Sequence, residues 1–199
     1  MFENKDKTDI SKLGEFGLID HITSKFELNN ETTKVGIGDD AAILSGSQKE
    51  QVISTDLYIE NVHFDIMYTP LKHLGYKCIT ASISDICAMN AKPSQVLVSL
   101  ALSSRYTLEA IEELYLGIHT ACTNYKLDLV GGDTSSSKSG LHISVTVIGY
   151  ADSGKIVKRS GANEGDLLCV TGDLGGAYMG LQMLEREKQV FVEQKDMKP

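Results

Sequence analysis

The chain has 199 residues, of which 42% are hydrophobic and 23% are charged, a composition that excludes the disordered and fibrous classes of protein. Its 19 Lys and Arg residues against 27 Asp and Glu give a net charge of -8, which argues against nucleic acid as a partner because phosphate backbones require clustered basic residues. The sequence shows neither an apolar leader nor a run of about 18 apolar residues, so we expect a cytoplasmic protein without a membrane partner.

Strand and helix patterns alternate along most of the chain. Residues 35–37 predict a short strand, and the β-branched run within 51–58 predicts a longer one. A helix is predicted from about Leu71 to Ala88, because apolar side chains recur there at helical spacing. Asn90 and Pro93 follow directly and indicate that the helix ends there.

The same alternation continues in the next part of the chain. Residues 95–103 form a nearly continuous apolar strand, of the kind buried on both faces. The apolar stripe of 107–125 predicts a helix with Thr107 as its N-cap. A strand at 127–130, a loop GGDTSSSKSG at 131–140 and an alternating strand at 141–150 follow. Two successive strand-helix-strand crossovers predict an α/β (α+β) fold with a mixed sheet flanked by helices.

The segment ADSGK, at residues 151–155, predicts a domain boundary. We expect residues 1–153 to form an N-terminal domain and residues 154–199 to begin a second α+β domain. The second part contains a predicted strand, LLCV at 167–170, and an amphipathic segment around Leu181. These elements are too few to enclose a core, so the second domain is expected to be incomplete.

The four cysteines are scattered along the chain without a CxxC spacing. This distribution indicates neither a zinc site nor a disulfide framework. Free cysteine behaves as a small hydrophobic residue, so we expect these side chains to be reduced and mostly buried. They are Cys78, Cys87, Cys122 and Cys169.

Several carboxylates stand at or near the ends of apolar elements, where charge is unexpected. Asp85 extends the apolar stripe of its helix by one turn, so we expect it to be buried and to need a cation. Each position alone is also typical of a turn residue or helix cap. Together they favour Mg²⁺, which prefers oxygen ligands. The positions are Asp39, Asp40, Asp56, Asp85 and Asp133, with further oxygens on Ser54 and Thr55.

Two glycine-rich segments and one histidine admit both a functional and a structural interpretation. In GGDTSS, at 131–136, glycines after a buried strand allow backbone amides to approach a phosphate. TGDLGG, at 171–176, lacks the lysine of a Walker loop and is equally typical of a tight turn. His63, in ENVHF, is either a substrate contact or a structural histidine.

Five segments resemble, in their order and spacing, the thiamine-monophosphate kinases, a family in the superfamily of aminoimidazole ribonucleotide and selenophosphate synthetases. They are GIGDDAAIL, STDLYIENVHF, SDICAMNAKPSQVLVSLAL, LVGGDTS and KRSGANEGD. The pattern TDxxxExxHF favours the kinases over the related synthetases. The resemblance implies the N-terminal domain of that superfamily. It also implies ATP-dependent phosphorylation of thiamine monophosphate to thiamine diphosphate, in a homodimer whose N-terminal domains pair their sheets.

Positions that match the motifs of this family carry implied roles. The resemblance assigns several Mg²⁺ ions to Asp40, Asp56, Asp85 and Asp133, with Asp39, Ser54 and Thr55 assisting. It assigns contacts with ATP to Tyr115, Gly132, Asp133 and Arg159. It assigns a contact with thiamine monophosphate to His63. No residue is assigned as a catalytic base.

The sequence departs from the family pattern at three places. The usual GGDTTRG loop has become GGDTSSSKSG, so Lys138 would have to replace the missing basic residue. AMGAKP has become AMNAKP, so Asn90 would have to adopt the left-handed conformation, which asparagine tolerates. A later DxSDGL-type segment is absent from these residues. The resemblance therefore implies an N-terminal fragment that is inactive alone.

The implied reaction is consistent with the residues present. A phosphate monoester has a second pKa of about 6 and is mostly a dianion at neutral pH, so it needs no general base. Mg²⁺ held by carboxylates would neutralise and align two polyanions.

Two alternatives to this function remain. One is a related ATP-dependent synthetase, although no cysteine precedes Cys78 where one such enzyme carries its reactive residue. The other is a dimerisation and metal-binding module without turnover.

Overall fold

A computed structural model describes residues 12–38, 42–44, 46 and 48–196. Asp39 and Asp40 lie outside the described residues, so their assignment stays a prediction. The chain divides into two compact units, Met1–Val157 and Lys158–Pro199. The division into domains at residue 153 also stays a prediction.

The first unit contains a four-stranded sheet, a two-stranded ribbon and three helices among its described residues. The elements are, in chain order, α1 (Gly14–Thr23), β1 (Thr33–Val35), β2 (Ile43–Leu44), β3 (Glu50–Ile59), α2 (Leu71–Ala88), β4 (Lys92–Leu102), α3 (Leu108–Tyr125), β5 (Asp128–Ser136), β6 (Leu141–Ala151) and, in the second unit, α4 (Gly176–Asp196). The sheet has the order β3-β6-β4-β5. β6 is antiparallel to β3 and β4, whereas β4 and β5 are parallel.

One face of this sheet is covered and the other is open. The alternation along β6 buries Leu141, Ile143, Val145 and Val147 in the main hydrophobic core. α2 packs against the sheet, α3 packs against α2, and α1 contacts α3. The opposite face of the sheet carries Ile53 and Leu57 on β3, which are 62% and 54% exposed.

The sequence-based prediction of a mixed sheet flanked by helices is confirmed. α2 has the predicted bounds, and Thr107 caps α3 by accepting a hydrogen bond from the backbone nitrogen of Ala110 at 3.4 Å. Asn90 adopts the left-handed conformation with φ 58°, as expected for a residue that replaces glycine. Its side chain donates to the carbonyl of Lys155 at 2.9 Å.

Two local predictions were wrong, and one helix was not predicted. The segment GGDTSS is not a loop, because it continues β5 to Ser136 by parallel pairing with β4. LLCV, at 167–170, forms no strand in the structure. The helix α1 was not predicted. Of its residues whose burial is described, only Leu18 and Ile22 are buried, which gives a short apolar stripe.

The expectation that the cysteines are mostly buried holds for two of the four. Cys78 and Cys122 are buried, and burial raises the pKa of each thiol to about 12. Cys87 and Cys169 are exposed, so the expectation was wrong for them. Among the described residues, no helix is long and apolar enough to cross a bilayer.

Candidate functional site

A cluster of oxygen-bearing side chains lies where β3 meets α2. Ser54 and Asp56 are two residues apart on β3, so both side chains point to the helix-covered face of the sheet. The Ser54 hydroxyl donates a hydrogen bond to Asp85 Oδ2 of α2 at 2.9 Å. Three of the predicted metal ligands are therefore close together at this edge of the sheet.

Asp85 is exposed, so the prediction that its carboxylate is buried was wrong. The buried stripe of α2 passes through Ser82 and Ile86, which are 1% and 0% exposed. Asp85 lies beside this stripe and faces β3. An exposed carboxylate has no desolvation cost to offset, so its accessibility, rather than its burial, suits it for binding a cation.

Tyr58 orients the carboxylate of Asp56. Its hydroxyl donates to Asp56 Oδ2 at 3.0 Å and also lies 3.0 Å from the Ser82 hydroxyl. Burial raises the pKa of Tyr58 well above its ordinary value, so this hydroxyl remains a proton donor at neutral pH. The contact occupies one oxygen of Asp56 and leaves Oδ1 available to another ligand.

His63 is exposed and lies next to this cluster. Its Nδ1 accepts a hydrogen bond from the backbone nitrogen of Ile59 at 3.0 Å. In the neutral imidazole the proton is then on Nε2. The His63 ring makes an edge contact with Tyr58, with centroids 6.4 Å apart. His63 thus presents a hydrogen-bond donor beside the Tyr58 ring.

The donors of this cluster fit a magnesium ion. Each carboxylate has one oxygen engaged within the protein, and no nitrogen or sulfur ligand takes part. Within the described part of the chain no group of three or more His, Cys, Asp and Glu side chains is close enough to hold a metal. Mg²⁺ commonly binds through only one or two carboxylates and keeps several waters, so the chemistry of Asp56 and Asp85 suits this ion; their role as metal ligands stays a prediction.

A separate groove lies along β5, at the opposite edge of the sheet. It is a cavity of about 800 Å³ lined by Tyr115, Gly132 and Asp133, three of the residues predicted to bind ATP. Tyr115 is buried and forms part of the wall, whereas Asp133 is exposed. Gly38, which immediately precedes Asp39 in the sequence, also lines this groove.

The glycine at position 132 is required by the packing of the sheet. A Cβ atom at Gly132 would overlap the carbonyl oxygen of Val98 on β4. The sequence interpretation attributed this glycine to the close approach of a phosphate. The close approach of β4 accounts for it without a ligand.

The structure separates the predicted metal ligands into two groups. Asp56 pairs with Val145, Val145 with Val98, and Val98 with Gly132. Neighbouring strands are about 4.8 Å apart, and three such spacings separate β3 from β5. Asp56 therefore lies on the order of 14 Å from β5, the strand that carries Asp133.

The two carboxylates also lie on different faces of the sheet. Successive residues alternate between faces, so Asp133 points to the open face with Thr55. Thr55 Oγ1 lies 3.0 Å from Thr146 Oγ1. One ion therefore cannot contact both Asp56 and Asp133 in a single chain.

Two other residues with predicted roles lie elsewhere. Arg159 belongs to the second unit and is exposed, so its contact with ATP stays a prediction. Lys138 lines a different cavity of about 410 Å³, together with Arg105 and His142. The structure thus does not bring Lys138 to the Asp133 groove.

The sequence interpretation missed Asp128, which anchors the segment that leads into the groove. Asp128 is 0% exposed. Its carboxylate accepts hydrogen bonds from the backbone nitrogens of Asn29 at 2.5 Å and Asn30 at 3.1 Å, and from the Thr33 hydroxyl at 2.5 Å. These partners lie far from Asp128 in sequence, so no local pattern could have revealed the contact.

Residues 38–151 match the family described as AIR synthase related protein, N-terminal domain. The chain is similar to a thiamine-monophosphate kinase of Bacillus subtilis (strain 168), at 38% identity over 88% of this chain and 54% of that protein.

Two solved structures are also similar to the chain. The thiamine-monophosphate kinase from Stenotrophomonas maltophilia K279a has a TM-score of 0.76 and 31% identity, covering 87% of this chain and 54% of that one. AaThiL complexed with AMPPCP and TMP has a TM-score of 0.66 and 36% identity, covering 92% and 56%. The chain spans about half the length of these relatives. The resemblance found from the sequence motifs is confirmed.

Proposed function

The chain belongs to the AIR synthase related proteins through the N-terminal domain at residues 38–151, and from this premise we propose that it serves the ATP-dependent phosphorylation of thiamine monophosphate. One observation carries the proposal: a nucleotide-sized groove at Gly132 and Asp133 accompanies a separate group of accessible carboxylates, Asp56 and Asp85. The similarity to AaThiL complexed with AMPPCP and TMP supports the same reaction.

The residues present account for a phosphoryl transfer without a general base. The acceptor phosphate is mostly a dianion at neutral pH, so the task of the protein is to hold two polyanions in line. Asp56 and Asp85 would hold magnesium, and this ion would supply the positive charge that neutralises the phosphates. Tyr58 keeps the Asp56 carboxylate in position, and the Nε2 proton of His63 is available to the acceptor.

The alternatives are less well supported. A related synthetase would share the fold, but the Bacillus subtilis and Stenotrophomonas maltophilia relatives are thiamine-monophosphate kinases. A dimerisation module without turnover would bind magnesium but would not distinguish thiamine monophosphate from thiamine. The cytoplasmic location expected from the sequence stays a prediction.

The direct test is a calorimetric titration of thiamine monophosphate into the chain with Mg²⁺ and AMPPCP. We expect saturable binding that weakens when thiamine, which lacks the phosphate, replaces thiamine monophosphate. Equal binding of the two, or no binding of either, would contradict the proposed substrate. His63→Ala should weaken the binding of thiamine monophosphate and leave that of AMPPCP unchanged.

We predict that Asp56→Asn lowers the affinity for Mg²⁺, or for Mn²⁺ as its probe, by at least about tenfold, because it removes a charged ligand and keeps its size. The measurement is a Mn²⁺ titration followed by electron paramagnetic resonance. Asp152→Asn is the matched control, since Asp152 is exposed and pairs with Lys49 at 3.2 Å on the surface. Unchanged Mn²⁺ affinity in a folded Asp56→Asn protein would remove Asp56 from the site.

We also propose that two copies associate through the open face of the sheet. Ile53 and Leu57 lie on this face of an edge strand, where exposed apolar side chains favour association. If the β5 edge of one copy lay beside the β3 edge of its partner, the strands that carry Asp133 and Asp56 would be neighbours. Association would then serve the site as well as cover the exposed apolar side chains of β3.

Sedimentation equilibrium over a range of concentrations tests this association. We expect a dimer for the unmodified chain and a shift toward monomer for Leu57→Lys, because a charge would have to be buried in the contact. Val62→Lys is the control, since Val62 is 71% exposed but lies in the turn after β3. A monomer at all concentrations would rule out the proposed dimer.

A further inference from the structure

A cavity with two cationic side chains lies at one end of the sheet, between the turn after β4 and the hairpin that joins β5 to β6. It has a volume of about 410 Å³, and Arg105 and Lys138 both line it. We propose that this cavity binds the phosphate group of a small phosphorylated compound without a metal ion. None of its described lining residues is among those predicted to hold magnesium, ATP or thiamine monophosphate, so the site goes beyond the proposed function.

The cavity carries an uncompensated positive charge, although the net charge of the chain is -8. Glu60 also lines the cavity and forms an ion pair with Arg105. Lys138 is exposed, and in the described part of the chain no carboxylate lies at ion-pair distance from it. The ammonium group of Lys138 is therefore left to attract an anion.

Arg105 is oriented before a ligand arrives. Its Nη2 donates hydrogen bonds to Glu60 and, at 3.3 Å, to the Tyr106 hydroxyl. The guanidinium carbon also lies 5.2 Å from the centroid of the Tyr106 ring. Glu60 and Tyr106 are 6% and 7% exposed, so they limit the movement of the guanidinium. Its Nη1 and Nε donate to no described residue, and planar donors of this kind match the oxygens of a phosphate.

Serine hydroxyls provide further donors to the cavity, through Ser103, Ser104 and Ser139. Ser103 is 9% exposed, and its buried Oγ has no hydrogen-bond partner among the described residues. Buried hydroxyl groups normally have a partner, and a phosphate oxygen would accept a hydrogen bond from this one. His142 lines the cavity too, but its Nε2 donates to the Ser139 carbonyl at 3.0 Å, so the proposal does not require it.

The cavity is separate from the carboxylates that are predicted to bind magnesium. Ile59 lines it three residues after Asp56 on β3, which is about 10 Å along the strand. The odd spacing also places the Ile59 and Asp56 side chains on opposite faces of the sheet. Glu60, the carboxylate in the cavity, already accepts hydrogen bonds from three groups of the protein. A phosphate bound here therefore relies on the cationic and hydroxyl donors and not on a metal.

The test compares two anions that share a ring and differ in the charged group. Calorimetry in the presence of EDTA measures the dissociation constants of phenyl phosphate and of benzoate, and we expect phenyl phosphate to bind more tightly. Lys138→Gln should weaken phenyl phosphate binding roughly tenfold, the scale of one hydrogen bond to a charged group, and Ser103→Ala should weaken it as well. Lys92→Gln is the matched control, since Lys92 is exposed at the start of β4, at the opposite end of the strand.

The outcomes distinguish this site from a general attraction of anions and from the magnesium cluster. Equal affinities for the two anions, or an unchanged phenyl phosphate affinity in folded Lys138→Gln, would overturn the proposal. Amide chemical shifts of the unmodified chain locate the bound phenyl phosphate, and we expect changes at Ser104 and Gly140, which line the cavity. Changes confined to the residues around Asp56 and Asp85 would place the phosphate at the other site and would also overturn the proposal.

Discussion

We expect Gly117→Ala to lower the free energy of unfolding by about 3 kcal/mol, because the new methyl group has no space between α2 and α3. A Cβ atom at Gly117 would overlap the carbonyl oxygen of Lys72, and one at Gly75 would overlap the carbonyl oxygen of Leu114. The two helices thus cross with glycine on both sides and with their backbones in contact. Rotation of a side chain cannot relieve the clash, since the obstructing atoms are backbone.

The measurement is urea unfolding followed by circular dichroism, with Gly17→Ala as the matched control. Gly17 also lies inside a helix, but a Cβ atom there would be 3.5 Å from its nearest neighbour, the Cβ of Leu13. Alanine should therefore stabilise α1 slightly, by about 0.5 to 1 kcal/mol, through its better helix propensity. Equal stabilities for Gly117→Ala and the unmodified chain would show that the helices can separate at little cost.

Periodicity allowed most of the sheet and its two main helices to be predicted. α2 and α3 have long apolar stripes, and β4 and β6 have apolar or alternating runs, so burial and pattern agree for these elements. α1 was not predicted, because it is short and buries few side chains. The segment GGDTSS has the composition of a turn, but its neighbour β4 provides a pairing edge that extends β5 through it. Tertiary pairing overrode local preference there.

The candidate site was only partly predictable for a similar reason. The residues Ser54, Asp56 and Asp85 come together because β3 and α2 are in contact, which the fold prediction implied. Whether Asp133 joined them depended on strand order, and no sequence pattern places β5 at the edge opposite β3. The buried carboxylates Asp128 and Glu60 were missed because their partners are distant in sequence.

Glu60 connects three separate segments beneath the turn that carries His63. Its side chain is 3% exposed and forms an ion pair with Arg105. Glu60 Oε2 accepts hydrogen bonds from the Tyr106 hydroxyl and from the backbone nitrogen of Leu141, both at 2.8 Å. Loss of this carboxylate would leave two buried donors, the Tyr106 hydroxyl and the Leu141 backbone nitrogen, without their acceptor at once.

We expect Glu60→Ala to lower the free energy of unfolding by about 2 kcal/mol, because the buried Tyr106 hydroxyl and the Leu141 backbone nitrogen lose their acceptor. Glu50→Ala, at the start of β3, is the control. Glu50 is exposed and accepts a single hydrogen bond from Ser153, so its effect should remain within about 0.5 kcal/mol. Urea unfolding at neutral pH measures both, and equal effects would show that the Glu60 network does not stabilise the fold.

The pH dependence distinguishes the charge of Glu60 from its packing. Burial raises the pKa of Glu60, but hydrogen bonds from Tyr106, Arg105 and Leu141 together lower it more, so the net shift is downward. A depressed pKa gives stability that is present above the unfolded-state value, about 4.3 for glutamate, and is lost as the pH falls through the folded-state value. Glu60→Gln keeps the size and removes this titration. The unmodified chain should therefore exceed Glu60→Gln in stability by more at about pH 7 than at about pH 4. A constant difference between the two pH values would show that packing, and not the carboxylate charge, holds these segments together.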